Sequence, residues 1–551
     1  MIRLLRICFA IVLAIAPIGF CHSTASAQTS NIQKRWLFIW RDMNDPKEVD
    51  RVIARLPAAH AAGYNGLALS ANVAASKAAE LKAEAKANGI AIVAIVMGGD
   101  PDRNYVEGVL SKDALFSAAG GTLNFQPDNP TKVVNGNFDS YKGDHMVGWG
   151  FQDDEGITTF ADHQVTHGGS TSLRMESFSK NSAQHTRIAQ PIKLHPYRQY
   201  RISVWVKTEN LAGAYPEVKV LNQDASASVS FQTFHCDPTQ DWKHYDLSFN
   251  SLKTENANLY LGTWSGKSGK MWWADLKIEE IGLVNVLRRP GCPLTVRAEN
   301  GTEFEEGRDY QKIVDTQLHP WAAYHDPPVV RLTPTSRIKE GDRIRISYYH
   351  PFLVYEDRLT YCLSEPKIFD DWRAEIKQAN ELLHPAAFFM SHDEMRCMNQ
   401  CAACQAKHMT AGELLAWNVH KAAQIIRDVR PDAEIWVWND MFDPMHNAID
   451  NYYAVNGTIK GSWKGLDPGI GIVNWHGDLK GKNCSFFADM GLKQILSGYY
   501  DSDDDGAAIA DWEANTKSIH GIVGAMYTTW EDKYGAMDAW AKRAWGSRRQ
   551  D

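Results

Sequence analysis

The apolar pattern changes period twice along this chain, and those two changes govern what it can fold into. Up to about residue 100, short and nearly continuous apolar runs alternate with helical stretches. Trp36-Leu37-Phe38-Ile39-Trp40 is a run of the kind buried on both faces of a parallel sheet. A helix follows, with Asp45 as N-cap, Pro46 in the first turn, Glu48 in the capping-box position and Val49, Val52, Ile53 and Leu56 on one face. Gly63 ends it, Leu67-Ala68-Leu69 makes a second strand, Ala74 to Ala87 a second helix, and Ile90 to Met97 a third strand.

From about 131 to 284 the period becomes two, in short segments parted by turn residues, as in Tyr200-Arg201-Ile202-Ser203-Val204-Trp205-Val206. That pattern predicts an antiparallel β-sandwich. A further β-rich stretch runs over 285–350 and ends in the alternation from Arg343 to Ser347. The helical rhythm then returns over 365–545. Strands are expected at 387–390, 435–438, 470–474, 494–497 and 522–526, and the clearest helix opens at Thr410, has Glu413 three residues on, and stops at Pro431. Three strands before the interruption and five after it make eight, the number that closes a parallel barrel. The expected fold class is therefore α/β: a (β/α)8 TIM barrel, formed by 34–100 and 365–545, interrupted after its third strand by a jelly-roll-like sandwich and a smaller β-rich segment.

The first residues carry a different message. Arg3 and Arg6 precede an apolar run from Ile7 to Phe20, and Ala25-Ser26-Ala27 offers a small-residue cleavage site. Residues 1–27 read as a secretory signal peptide, too short in its apolar part to span a membrane, so a periplasmic or secreted protein without membrane insertion is expected. A net charge of −8 without a basic stripe sets nucleic acid aside as a partner. Nineteen Trp and twenty Tyr supply many flat amphipathic rings of the sort that stack on sugars. Oligomeric state is not legible.

In a parallel barrel the chemistry gathers beyond the C-terminal strand ends. Those positions hold Arg41 and Asp42; Asp100; His392, Asp393, Glu394 and Arg396; Asn439 and Asp440; Trp475 and His476; Tyr499, Tyr500 and Asp501; and Trp530, Glu531 and Asp532. An acidic, Trp-lined mouth suits glycosidic cleavage, because carboxylates can protonate a leaving oxygen and stabilise an oxocarbenium-like transition state.

Phe388-Phe389-Met390-Ser391-His392-Asp393-Glu394 resembles the strand-four signature of glycoside hydrolase family 20 β-N-acetylhexosaminidases, with Ser391 and His392 where that family has glycines. Trp438-Asn439-Asp440, Tyr499-Tyr500-Asp501 and Thr529-Trp530-Glu531 resemble its later motifs in order, and family 123 β-N-acetylgalactosaminidases share the logic. Within 131–284, Val133-Val134-Asn135-Gly136-Asn137-Phe138, Gly148-Trp149, the segment from Gly168 to Leu173 and that from Trp272 to Leu276 resemble landmarks of carbohydrate-binding modules.

The barrel resemblance implies exo-acting, retaining, substrate-assisted hydrolysis of a terminal N-acetylhexosamine from a glycan or glycoconjugate. Glu394 would be the acid and Asp393 the partner of the substrate acetamido group. Tyr499 or Tyr500 would meet the acetamido oxygen, Trp438, Trp475 and Trp530 would wall the pocket, and Arg41, His392, Asp440 and Glu531 would complete the sugar contacts. Two alternatives stay open: a glycosidase with Asp440 or Glu531 as nucleophile, and a glycan-binding protein without turnover. No cofactor and no catalytic metal is expected. Cys397, Cys401 and Cys404, with His408 and either Cys362 or Cys484, have spacing compatible with a structural zinc site, a disulfide or buried free thiols.

Overall fold

The computed structural model describes residues 32–98, 103–128, 131–354, 359–476, 479–502 and 506–546. The expected signal peptide at 1–27 and Asp100 lie outside the described residues. Eight parallel strands close into a barrel in chain order: β1 Lys34–Phe38, β2 Gly66–Ser70, β3 Ala91–Val96, β4 Ala387–Met390, β5 Glu434–Trp438, β6 Ile470–Asn474, β7 Gln494–Leu496 and β8 Ile522–Tyr527. β8 pairs with β1, with Trp36 opposite Met526.

Among the described residues, seven α-helices of nine residues or more accompany them: α1 Pro46–Ala61, α2 Ala75–Ala87, α3 Pro366–Leu383, α4 Ala411–Val429, α5 Lys480–Asp489, α6 Ala507–Thr516 and α7 Met537–Trp545. Between β5 and β6 only the 3-10 turns Asp440–Phe442 and Ser462–Gly465 stand where a helix would be. Local chemistry starts the helices. Asp45 accepts the Lys47 N–H at 2.9 Å, but Glu48 does not close the expected capping box. It turns to Arg51 at 2.6 Å. At α4 the box is complete, because the Thr410 hydroxyl accepts the Glu413 N–H while the Glu413 carboxylate accepts the Thr410 N–H. Thr410→Ala is expected to lower stability by about 1 kcal/mol, measurable as an earlier urea unfolding midpoint.

The barrel interior is plugged at its lower end. Trp36 and Trp436 meet edge to face with centroids 5.2 Å apart. A side chain at Gly66 would place its Cβ 2.3 Å from the Trp36 ring, and one at Gly471 would lie 2.2 Å from the Trp436 ring. Two glycines thus make room for two indoles, and only the opposite, C-terminal mouth is left to admit a ligand.

The insertion after β3 is nested. The sandwich consists of two five-stranded antiparallel sheets, one built on Gln199–Ala212 and Ser268–Ile281, the other on Thr186–Lys193 and Asn256–Thr263. Trp149, Trp273, Tyr200 and Phe249 are buried between them. The β-rich stretch 285–350 does not form a sheet of its own. Its strands Thr295–Ala298 and Arg343–Pro351 join Gly108–Ala119 and Thr122–Phe125 in one six-stranded sheet, so that sheet takes strands from both sides of the sandwich. No helix of the described residues is long and apolar enough to cross a membrane.

Candidate active site

The mouth is floored by aromatic rings from four strand ends. Trp438 packs against Phe389 at 4.7 Å and Phe38 at 5.9 Å, and Trp530 lies 5.5 Å from Phe38. Trp475 and Trp530, both partly exposed, cap the same interior cluster. Tyr499 stacks on Trp530 at 5.9 Å and donates its hydroxyl to Glu531 at 3.0 Å.

The carboxylates meet beside this floor. Asp440 is fully buried and accepts the Glu394 backbone N–H at 2.8 Å, the Asn447 amide at 2.9 Å and the Trp475 indole N–H at 3.3 Å. One side chain therefore joins the Asp393-Glu394 turn to the Trp wall. Burial, then the negative charges of Asp393 and Glu394, push the Asp440 carboxyl up to about 7 against the pull of its N–H donors. Glu394 adopts a left-handed φ of 47°, a conformation costly for a residue with a Cβ. Its carboxylate is paired with the buried Arg396 at 2.7 Å, and the guanidinium lies 5.4 Å from the Tyr453 ring.

Further anchors hold the rest of the rim. The Asp501 carboxylate accepts the N–H groups of Trp530 and Glu531 at 3.0 and 3.1 Å and the Thr529 hydroxyl, fixing the turn after β8. Asn439 accepts the Trp475 N–H at 3.2 Å and donates to Asp443 at 3.0 Å. Arg41 is tied to Asp532 at 2.9 Å at the end of β1.

Of the expected site residues, Asp393, Glu394, Asp440, Trp438, Trp475, Trp530, Tyr499, Glu531 and Arg41 belong to this end of the barrel. Two do not line the mouth. His392 points the other way: it is buried, its Nε2 is 3.1 Å from Asn418 of α4, and its ring packs beside Trp372 and Phe442. Burial pushes it down to about 4, so it is a neutral core residue at physiological pH rather than a sugar ligand. Tyr500 is 1% exposed against 53% for Tyr499, and it packs on Tyr527 and Trp540 between barrel and helices. Neighbours on an extended segment face opposite sides, so only one of the two tyrosines could serve. The anchoring roles of Arg396, Asn447 and Asp501 have no signal in the sequence, because an anchor is recognised only by what it touches.

The sandwich offers a second surface. Phe151, Tyr260 and Trp264 form a row along one sheet, with centroid spacings of 6.2 Å, and Lys219 lies 3.4 Å over Trp264 and 4.0 Å over Phe231. In a polar hollow of about 570 Å³ elsewhere, at the seam of the six-stranded sheet and the sandwich, lining charges pair with one another: Arg297 with Asp113, and Arg345 with Asp128 and Glu299.

Residues 131–269, within the sandwich, match the family described as "Carbohydrate binding domain". Among solved structures the chain is similar to a family 16 carbohydrate binding module, at 17% identity and TM-score 0.20 over 23% of this chain and 89% of that one. It is also similar to a structure titled "CBM4 structure and function", at 18% identity and TM-score 0.22 over 27% and 99%. A third is the CBM22-1 xylan-binding domain of Xyn10C from Paenibacillus barcinonensis, at 13% identity and TM-score 0.20 over 30% and 98%. No curated protein matches the chain. The family match falls on the sandwich and leaves the barrel, where the hexosaminidase resemblance lies, outside it.

Proposed function

We propose that the protein is an exported, exo-acting retaining glycoside hydrolase for terminal β-N-acetylhexosaminides, whose sandwich holds the surrounding glycan. The observation that carries this reading is the meeting of Asp393, Glu394 and Asp440 beside a floor of Trp438, Trp475 and Trp530 at the open end of a plugged barrel.

In this reading Glu394 protonates the glycosidic oxygen as the bond from that oxygen to the anomeric carbon breaks. The substrate's acetamido oxygen forms the new bond to that carbon, and Asp393 accepts the acetamido N–H and balances the positive charge that develops. Water then attacks the anomeric carbon, gives its proton to Glu394, and the oxazolinium ring opens. Arg396 is the ion-pair partner of the Glu394 side chain at 2.7 Å. In the same reading Tyr499 meets the acetamido oxygen, and Arg41 and Glu531 meet outer hydroxyls. Asp440 is a poor nucleophile, since it is fully buried and three N–H groups occupy its oxygens.

A panel of p-nitrophenyl glycosides tests the reading. Turnover of an N-acetylhexosaminide, blocked by an N-acetyl-thiazoline, is the expected result; a trapped 2-fluoroglycosyl enzyme would instead favour an enzyme nucleophile. The carbohydrate-binding match supports a second reading, glycan binding without hydrolysis, for which no glycoside in the panel would be cleaved.

The two surfaces can be separated. Tyr260→Ala and Trp264→Ala should each weaken binding to a retained polysaccharide about tenfold, as read by affinity electrophoresis, while leaving cleavage of a small aryl glycoside unchanged.

A further inference from the structure

Away from the mouth, Glu107, Cys362, Cys401 and Cys404 are all buried, and one ligand atom from each lies within 4.8 Å of the others. Cys362 Sγ is 3.5 Å from Cys401 Sγ and 3.7 Å from Cys404 Sγ, and Cys404 Sγ is 3.6 Å from Glu107 Oε2. Thiolates bound at about 2.3 Å to a tetrahedral zinc ion lie about 3.8 Å apart, and a thiolate and a carboxylate oxygen bound at about 2.0 Å lie about 3.5 Å apart. The separations in the protein are close to those edges. They are far longer than the roughly 2.05 Å of a disulfide.

We propose that these four side chains bind one structural zinc ion through three thiolates and one carboxylate oxygen. The surroundings suit the charge. Glu107 Oε1 accepts the N–H groups of Gln400 and Cys401 at 2.7 and 2.9 Å, which fixes the carboxylate and leaves Oε2 for the metal. Arg289 lies beside the cluster, electrostatically coupled to Cys362, Cys401 and Glu107, and is held by Glu365 at 2.6 Å and the Val106 carbonyl at 3.0 Å. A zinc ion with three thiolates and a carboxylate carries about two negative charges in excess, which the guanidinium partly offsets. Cys401 is the N-cap of the short helix Ala402–Gln405 and Cys404 lies within it, and the two supply a C-x-x-C pair, the usual local half of a zinc site.

The ligand set differs from the one the spacing suggested. Cys397 faces a separate apolar cluster with Val109, Phe352, Val354 and Ala454, His408 is exposed, and Cys484 lies between the barrel and its outer helices. Glu107 replaces them from nearly 300 residues upstream. It stands at the start of Gly108–Ala119, Cys362 shortly before α3, and the Cys401/Cys404 pair beyond Glu394. The metal would therefore tie the outgoing and returning limbs of the insertion to the loop that carries the carboxylate pair. The site is structural and holds whether or not the barrel is an enzyme.

Elemental analysis of the full chain, purified without chelator under reducing conditions and dialysed against trace zinc, tests this directly. About one zinc per chain is expected, falling below about a tenth in Cys362→Ser and Cys404→Ser and unchanged in Cys397→Ser and Cys484→Ser. Replacement with Co²⁺ should give thiolate-to-cobalt charge transfer and the strong visible bands of a tetrahedral ion. Should the serine variants fail to fold, the unaltered chain still reports, because mercurial titration of its thiols should release zinc to a chromogenic chelator in step with thiol loss. An unaltered chain that takes up no zinc, zinc content unaffected by Cys362→Ser, or a disulfide from Cys362 to Cys401 or Cys404 in peptide mapping would each overturn the proposal.

Discussion

Glu394→Gln should lower turnover of an aryl N-acetylhexosaminide by about a hundred- to ten-thousandfold while changing substrate affinity only a few-fold. The amide has the shape of the acid but no proton to give. The loop should survive, because Asp440 holds position 394 through its backbone N–H, which the substitution leaves in place. The lost pairing with Arg396 is the main structural cost. Substrates with better leaving groups should suffer less, since they need less protonation. Asp393→Asn should reduce turnover by a smaller factor, because it removes the partner of the acetamido N–H and not the acid. Near-normal hydrolysis in both variants would end the assignment of the pair, and binding without hydrolysis in the unaltered chain would favour the glycan-binding reading.

The second large effect concerns Asp440 and stability. Its carboxyl titrates near 7 in the folded protein against 3.8 ordinarily. Because the folded value is the higher one, the folded state holds an extra proton between those limits. Stability from this group is thus fully present below about pH 4 and is lost as pH rises through 7, by an amount of order 4 kcal/mol at pH 8. Asp440→Asn carries no charge, so the gap in stability between variant and parent should move in the variant's favour as pH rises from 4 to 8. Glu375 and Glu513 also titrate near 7, which makes the difference between the two urea-stability curves, and not either curve alone, the informative quantity. A difference independent of pH would mean that Asp440 is ionised throughout. Asp440→Ala should be worse at every pH, because it strands the Glu394 N–H, the Asn447 amide and the Trp475 indole in the interior, at roughly 1–3 kcal/mol for each group left unpaired.

Much of the barrel was legible because its signals are local. Each of its eight strands is a short apolar run with a helix or turn beside it, and the Thr410–Glu413 box and the Asp45 cap are spelled out within four residues. The six-stranded sheet was not legible in full. Gly108–Ala119 mixes Ala and Leu with polar residues in no strict alternation, and its pairing with Arg343–Pro351 spans more than 200 residues. At the site, sequence could name the strand ends but not the direction of each side chain. His392 and Tyr500 each lie next to a residue that does reach the mouth, yet both turn into packed layers. Glu107 carried no signal at all, since a lone acid becomes a metal ligand only when the fold delivers it to three thiols.

The interruption after β3 also sets an order on assembly. About 290 residues part the end of β3 at Val96 from the start of β4 at Ala387, the strand that pairs with it in the ring. A chain emerging at roughly 5–20 residues per second leaves the outer edge of β3 unsatisfied for about 15–60 seconds. Through that interval three staves wait, hydrogen-bonding groups bare along two margins, while everything between them is completed. The cylinder is the first fold begun and the last finished, and its unfinished arc is the span most open to pairing with the wrong neighbour.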